Sequence, residues 1–207
     1  MTTTIEYSNN DYRLLYGNTV EWILKNHKIN EGICLDIGTG PGYIGIELAK
    51  RSNLSISYID INPVAIKQAE VNVKKLGLEK RSSFYTADVA RLPFSNQSVD
   101  LVVSRGSIWF WENLLNGLKE IYRVMRSGAV AVLGGGFGSH FMPEDVRERI
   151  IRDRRQQFKR MREEGNDILS EIKIFKENIE SKLSLAGIST YKLIADDPGV
   201  WLEIKKN

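Results

Sequence analysis

The run Leu35-Asp36-Ile37-Gly38-Thr39-Gly40-Pro41-Gly42 sets glycine at every second position directly behind a short apolar stretch. Glycine has no Cβ, so such a loop turns tightly and lets a ligand lie against bare backbone. A small polar molecule belongs there. Asp36 precedes the first glycine, where a carboxylate repels a pyrophosphate and welcomes an ammonium group. Tyr58-Ile59-Asp60-Ile61-Asn62 puts a second carboxylate at the end of the next apolar run, able to accept from both hydroxyls of a ribose. Behind a third run stands Thr86-Ala87-Asp88-Val89, where a carboxylate can take the exocyclic amine of adenine and the next backbone N–H its ring nitrogen. Glycine spacing alone also fits dinucleotide folds, and Asp60 and Asp88 could instead cap helices or close solvated turns.

Two later segments offer groups for a second ligand. In Ser104-Arg105-Gly106-Ser107-Ile108-Trp109-Phe110-Trp111, Arg105 could hold an anion or form a structural ion pair, and the aromatic triplet could wall a pocket or pack the next helix. Gly134-Gly135-Gly136-Phe137-Gly138-Ser139-His140 suits a mobile or closely approached loop, and His140 is the candidate general base, with an exposed loop histidine as the other reading. Cys34 has no partner for a disulfide and reads as a small buried hydrophobe; with His27 and His140 the only histidines, no zinc-ligand spacing exists and no metal is expected.

These residues need strands and helices to position them. Apolar, β-branched runs at Ile33–Ile37, Leu54–Ile59, Ser83–Ala87, Val99–Val103 and Ala129–Leu133 read as strands. Helical patterns lie at Tyr12–Lys28, Tyr43–Arg51, Pro63–Leu76 and Glu112–Met125, the last with Leu114, Leu118, Ile121, Tyr122 and Met125 on one face. Strand alternating with helix predicts a parallel sheet covered on both faces. Further on, Pro143–Glu164 reads as a charged helix whose thin apolar stripe (Val146, Ile150, Phe158, Met161) is interrupted by Arg154. A helix over Ile168–Leu183 follows, then Ser189–Ala195 and Val200–Lys205 flank the turn Asp196-Asp197-Pro198-Gly199 and should pair antiparallel.

The 207 residues, 42% hydrophobic and 27% charged, suffice for one domain with its own core and exclude a wholly disordered chain. The expected organisation is a single domain over 1–207, with 1–30 as a helical cover and 134–165 as a substrate-side loop and lid helix. No stretch approaches the ~20 apolar residues of a membrane span, and Met1 to Asn10 lacks a leader pattern, so a cytoplasmic location is expected. A net charge of +3 is too small to imply nucleic acid, although 147–162 holds eight basic residues against Glu148 and Asp153.

Taken together, Leu35-Asp36-Ile37-Gly38-Thr39-Gly40, Asp60, Ala87-Asp88-Val89 with Leu92-Pro93-Phe94, Ser98-Val99-Asp100, and Glu120-Ile121-Tyr122-Arg123-Val124-Met125-Arg126-Ser127-Gly128 resemble the class I S-adenosylmethionine-dependent methyltransferases, particularly the small-molecule branch that includes quinone C-methyltransferases. The resemblance runs from Gly32 to Leu133. It implies a Rossmann-like α/β fold: a seven-stranded, mostly parallel sheet of order 3-2-1-4-5-7-6 with strand 7 antiparallel and helices on both faces. It implies S-adenosyl-L-methionine as cofactor, S-adenosyl-L-homocysteine as product and a small-molecule acceptor. The implied cofactor-binding set is Asp36, Gly38, Thr39, Gly40, Gly42, Asp60, Ile61, Asp88, Val89, Ser104, Arg105 and Tyr16, with Arg105 also a substrate anchor and His140 a catalytic base. Where the family carries Lys-Pro-Gly-Gly before strand five, this chain has Arg126-Ser127-Gly128-Ala129. The Asn-Pro-Pro-Tyr of adenine and glutamine methylation is absent after strand four, and one cysteine excludes the three-thiolate arrangement of arsenite methylation. An RNA- or protein-directed methyltransferase using the basic 147–162 helix, and a non-catalytic cofactor-binding module, are the alternatives.

Overall fold

Five of the seven strands form at the β-branched runs and are parallel because a helix or long loop returns the chain between them. In a computed structural model, which describes residues 10–139, 141–196 and 198–207, α1 (Asn10–His27) leads into β1 (Glu31–Ile37), α2 (Tyr43–Arg51), β2 (Asn53–Asp60), α3 (Pro63–Lys75) and β3 (Ser82–Thr86). There follow β4 (Val99–Arg105), α4 (Leu114–Val124), β5 (Met125–Gly135), α5 (Glu144–Glu163), α6 (Ile168–Leu185), β6 (Tyr191–Asp196) and β7 (Gly199–Lys205). The sheet order is β3-β2-β1-β4-β5-β7-β6. β7 runs antiparallel to both β5 and β6, and the remaining pairings are parallel, as the resemblance implies.

Alternation along the strands builds two apolar layers. One face carries Cys34, Ile56, Tyr58, Leu101, Val103 and Trp201 under α1, α2, α3 and α5. The other carries Leu35, Ile37, Ile59, Val102, Leu133 and Leu202 under α4 and α6. Cys34 is fully buried, in keeping with a hydrophobe's role.

Several residues that carried the resemblance turn out to staple loops. Arg123 clasps Glu120 through Nε and Nη2 (2.7 and 2.8 Å) and donates to the carbonyls of Phe94 (2.8 Å) and Leu92 (3.1 Å). The Leu92 N–H donates back to Glu120 (2.8 Å), so α4 fixes the 88–94 loop after β3. Asp100 accepts from the Ile33 N–H (2.8 Å) and pairs with Arg126, a structural role.

The main boundary difference is at β5. The periodic stripe continues to Met125, which reads as helical, yet the chain turns extended there with no intervening loop. Partners shift from Val99/Met125 to Leu101/Val130, so Arg126–Gly128 is a bulge inside the strand, with Gly128 at φ +81°. At its other end β5 includes Gly134 and Gly135, which corrects their reading as loop. A Cβ on Gly134 would meet the Val200 carbonyl, and one on Gly136 would meet Asp196. These glycines serve close approach of the β6–β7 hairpin.

Among the described residues no helix is long and apolar enough to cross a membrane, and no cluster of His, Cys, Asp and Glu could hold a metal.

Candidate active site

The carboxyl ends of β1, β2 and β3 open into a cleft of about 260 Å³, lined by Ile37, Gly38, Asp60, Ile61, Ala87, Asp88, Val89, Ser107, Phe110, Trp111 and Glu112. Asp60 organises it. Its Oδ2 accepts from the Gly40 N–H (2.9 Å) and its Oδ1 from the Asn62 N–H (2.9 Å). A carboxylate offers about four lone-pair positions, so each oxygen keeps one for a further donor. Gly40 stands at φ +53°, and a Cβ built on it would meet nothing within 4 Å, so only that open space would receive a side chain. The remaining glycines are also required by the protein itself: a Cβ on Gly38 would strike Ser107, and one on Gly42 would press on Ala69 and Tyr58.

Asp36 lies beneath the loop and does not line the cleft. It is 2% exposed, and its Oδ2 accepts from Thr39 Oγ1 (2.6 Å) and the Gly45 N–H (3.0 Å). Burial pushes its carboxyl up to about 6; the two hydrogen bonds pull down and the charge of Asp60 pushes up further. Thr39 also donates its N–H to the Ile59 carbonyl (3.0 Å), joining the loop to β2. Asp88 is exposed and its Oδ1 accepts from the Ala90 N–H (2.8 Å), while Val89 is buried against the cleft wall. Ile61 projects outward at the cleft edge.

Ser104, Arg105 and Tyr16 sit elsewhere than the rest of the set. Ser104 is buried, its hydroxyl 2.6 Å from that of Ser107. Ser107, missed at the level of sequence, also donates to the Ile37 carbonyl (3.2 Å) and accepts from Trp111 Nε1 (3.2 Å), tying the turn after β4 to the end of β1. Arg105 and Tyr16 face a second cavity of about 280 Å³, whose walls include Gly106, Trp109, Phe110, Gly136, Phe137, Arg154 and Phe158. The Arg105 guanidinium carbon stands 4.9 Å above the Tyr16 ring and Nη2 donates to the Gly136 carbonyl (3.1 Å).

Phe110 lines both cavities and is half exposed, so it forms the partition between them. Trp109 instead packs edge-on against Phe175 at 4.9 Å. The second cavity is walled in part by Tyr16 of α1 and by Arg154, Phe158 and Met161 of α5, two helices joined through Arg149 on Asp11 (2.8 and 3.0 Å). His140 lies outside the described residues. Its neighbour Ser139 and Gly138 donate their N–H groups to Asp196 (2.8 and 2.9 Å), which also accepts from Trp201 Nε1 (3.0 Å).

A glycine loop over the end of β1, a carboxylate at the end of β2 and this strand order define a Rossmann-like protein that binds an adenosyl ligand at its switch point. Comparison with known proteins makes the assignment specific. A family model described as "Methyltransferase domain" matches residues 34–128. The crystal structure of a candidate S-adenosyl-L-methionine-dependent methyltransferase from Methanococcus maripaludis is 33% identical, covers 98% of this chain and 90% of that one, and superposes with a TM-score of 0.84. The demethylmenaquinone methyltransferase of Porphyromonas gingivalis is 31% identical over 97 residues, 46% of this chain and 40% of that enzyme. The ajmaline N-methyltransferase of Rauvolfia serpentina is 30% identical over 99 residues, 48% of this chain and 34% of that enzyme. The match thus spans less than half the length of either curated relative. The chain belongs to the class I S-adenosyl-L-methionine-dependent methyltransferases. S-adenosyl-L-methionine is the cofactor of that family and S-adenosyl-L-homocysteine its product.

Proposed function

We propose that the protein transfers the methyl group of S-adenosyl-L-methionine to a small-molecule acceptor held in the 280 Å³ cavity. The observation that carries this reading is the pair of cavities sharing Phe110, one over the glycine loop and one between the turn after β4 and the segment after β5. When bound, the cofactor supplies an electrophilic methyl carbon on a sulfonium. The cleft fits it: Asp60 has acceptor capacity for ribose hydroxyls, Gly38, Thr39, Gly40 and Gly42 shape the bed for the methionine part, and Ala87, Asp88 and Val89 flank the place for adenine with Ile61 at its edge. Asp36 acts from below as the anionic floor of the loop.

This chain's task is to align the partners and keep water out, and such positioning can supply ~7–11 kcal/mol. Arg105 anchors the acceptor, Tyr16 holds Arg105, and Ser104 supports the turn through Ser107. His140 is the general base where the acceptor needs one. Residues 1–207 act as one domain, with 1–30 as cover and 134–165 as the acceptor-side loop and lid. Sites on α5 that an RNA backbone would need are partly taken up internally, Arg147 by Glu144 and Arg149 by Asp11 and Asp145, which favours the small-molecule reading in a cytoplasmic setting.

The test is transfer of radiolabelled methyl to a metabolite extract, compared with an RNA extract and a protein extract. Label in the low-molecular-weight fraction supports the reading. Label confined to RNA or protein transfers the function to the basic helix, and binding of S-adenosyl-L-homocysteine without transfer to any fraction leaves a cofactor-binding module.

A further inference from the structure

The basic residues of α5 divide into two sets. Those near its start are matched within the protein: Arg147 pairs with Glu144, and Arg149 with Asp11 and Asp145. Further along, Arg152, Arg155, Lys159 and Arg160 are exposed, and among the described residues no carboxylate stands within ion-pair distance of any of them. Arg152, Arg155 and Lys159 follow the i, i+3, i+7 spacing of one helix face. Arg162 continues that face, with Asp167 at 3.6 Å. Between 152 and 162 five exposed basic residues thus stand against one exposed acid, Asp153, while Glu148 precedes them and Glu163 and Glu164 follow. At 1.5 Å of rise per residue the row is about 15 Å long. The opposite side of the helix turns Val146 and Ile150 into the core and Phe158 and Met161 to the 280 Å³ cavity. One helix therefore carries a cavity wall on one side and a row of uncompensated cations on the other. Exposed leucines stand on both neighbouring helices: Leu14 on α1, one turn after the Asp11 that holds Arg149, and Leu169 in the first turn of α6.

We propose that this face of α5 docks on an anionic lipid surface, the basic row lying along the phosphate headgroups and the flanking leucines entering the interface. Each cation beside a negatively charged bilayer adds to the attraction, and apolar side chains at the same level add burial. Nucleic acid fits the face less well. The single aromatic residue of α5, Phe158, lines the cavity, so the exposed side has no ring on which a base could stack, and exposed leucines gain nothing against a phosphate backbone. Docking in this orientation leaves one helix between the bilayer and the cavity, a short path for an apolar ligand leaving the lipid. The proposal goes beyond the methyl-transfer reading and stands or falls without it.

The probe is a sedimentable vesicle of three parts phosphatidylcholine to one part phosphatidylglycerol, compared with phosphatidylcholine alone and with poly(U), at about 0.1 M salt, where surface charges act over ~10 Å. Expected are cosedimentation with the anionic vesicles, at least tenfold weaker binding to phosphatidylcholine alone, and release as the salt is raised. Arg152→Gln, Arg155→Gln and Lys159→Gln combined should weaken binding at least tenfold. Lys67→Gln, Lys75→Gln and Lys80→Gln combined, which remove the same charge from exposed positions on and after α3, should leave it within twofold. No binding to the anionic vesicles, equal binding to both kinds of vesicle, equal weakening by the two triple variants, or tighter binding to poly(U) than to the anionic vesicles overturns the proposal. Each variant is first titrated with S-adenosyl-L-homocysteine in solution, and retained affinity shows a folded protein. Because that titration needs no lipid, failure of the unsubstituted protein to bind S-adenosyl-L-homocysteine removes the methyl-transfer reading and leaves the docking result to be judged alone.

Discussion

Asp36→Asn should change stability by different amounts at the two ends of the acid range. In the folded chain the carboxyl is raised from 3.8 to about 6 because burial disfavours its charge. A group whose acid form is favoured by folding holds its proton in the native state while the unfolded chain has lost it. Stability therefore falls as pH rises between 3.8 and about 6 and is level outside that window. At about 1.4 kcal/mol per pKa unit, the ionised carboxylate above pH 6 is on the order of 3 kcal/mol less favourable to folding than the neutral acid below pH 4. Asparagine is never charged, so the variant should gain on the order of 3 kcal/mol relative to the native chain between pH 4 and pH 7.5. Urea unfolding at both pH values, without cofactor, measures this difference. The proposed ammonium partner adds a second signature. A cation over the loop favours the carboxylate, so binding of S-adenosyl-L-homocysteine at pH 6 should release roughly half a proton, seen by calorimetry in buffers of different ionisation enthalpy. Asp36→Asn should abolish that release. A pH-independent stability difference would refute the buried-carboxylate argument, and a release that persists in the variant would refute the placement of the ammonium.

Asp60→Ala should weaken S-adenosyl-L-homocysteine binding ~10-fold or more, since bonds to a charged acceptor contribute about 1.5–3 kcal/mol each; Asp60→Asn, which keeps one carbonyl for a backbone N–H, should lie between, and calorimetry reads both. Gly40→Val should fold with reduced stability, since φ +53° strains a β-branched residue, and lose cofactor affinity because its side chain would occupy the space over the loop, with circular dichroism as the check on fold. Trp201→Phe should reduce unfolding free energy by about 1–3 kcal/mol, as it removes a buried donor to Asp196 that urea titration can register. Amide exchange in Glu144–Glu163 should slow when cofactor and acceptor are both bound, and exchange equally slow without ligand would make α5 a fixed part of the core.

Periodicity in the sequence was enough for the layered architecture, because strand and helix repeats differ and the glycine loop marks where the first strand ends. It did not reveal that Met125 begins a strand. Met125 is buried on either reading, so its apolar character does not distinguish a last helical turn from a first strand residue. Glycine composition pointed to a loop at 134–138, whereas Gly134 and Gly135 belong to the sheet and their small size answers to β7. At the candidate site, what was legible beforehand was tied to chain-local motifs: Asp60 and Gly38 both line the cleft at the ends of the first two strands. Tyr16 and Arg105 were legible as candidates but not in their pairing, which depends on how α1 lies across the end of β4. Phe110 and Arg154 owe their placement to long-range packing, and the one local trace of Arg154 was the break in an apolar stripe.

The position of β7 bears on the order in which the two cavities can be completed. It is the latest of the seven strands in sequence, yet it lies inside the sheet between β5 and β6. The strands β1, β2 and β3, whose carboxyl ends open into the cofactor cleft, pair through near neighbours in the chain. The acceptor cavity takes part of its wall from Pro198 and Gly199, which arrive only with the β6–β7 hairpin. Pairing β7 with β5 closes a long loop that contains both α5 and α6, a slow kind of contact to form. During folding the glycine loop, Asp60 and Asp88 can therefore come together before the acceptor cavity has its last wall.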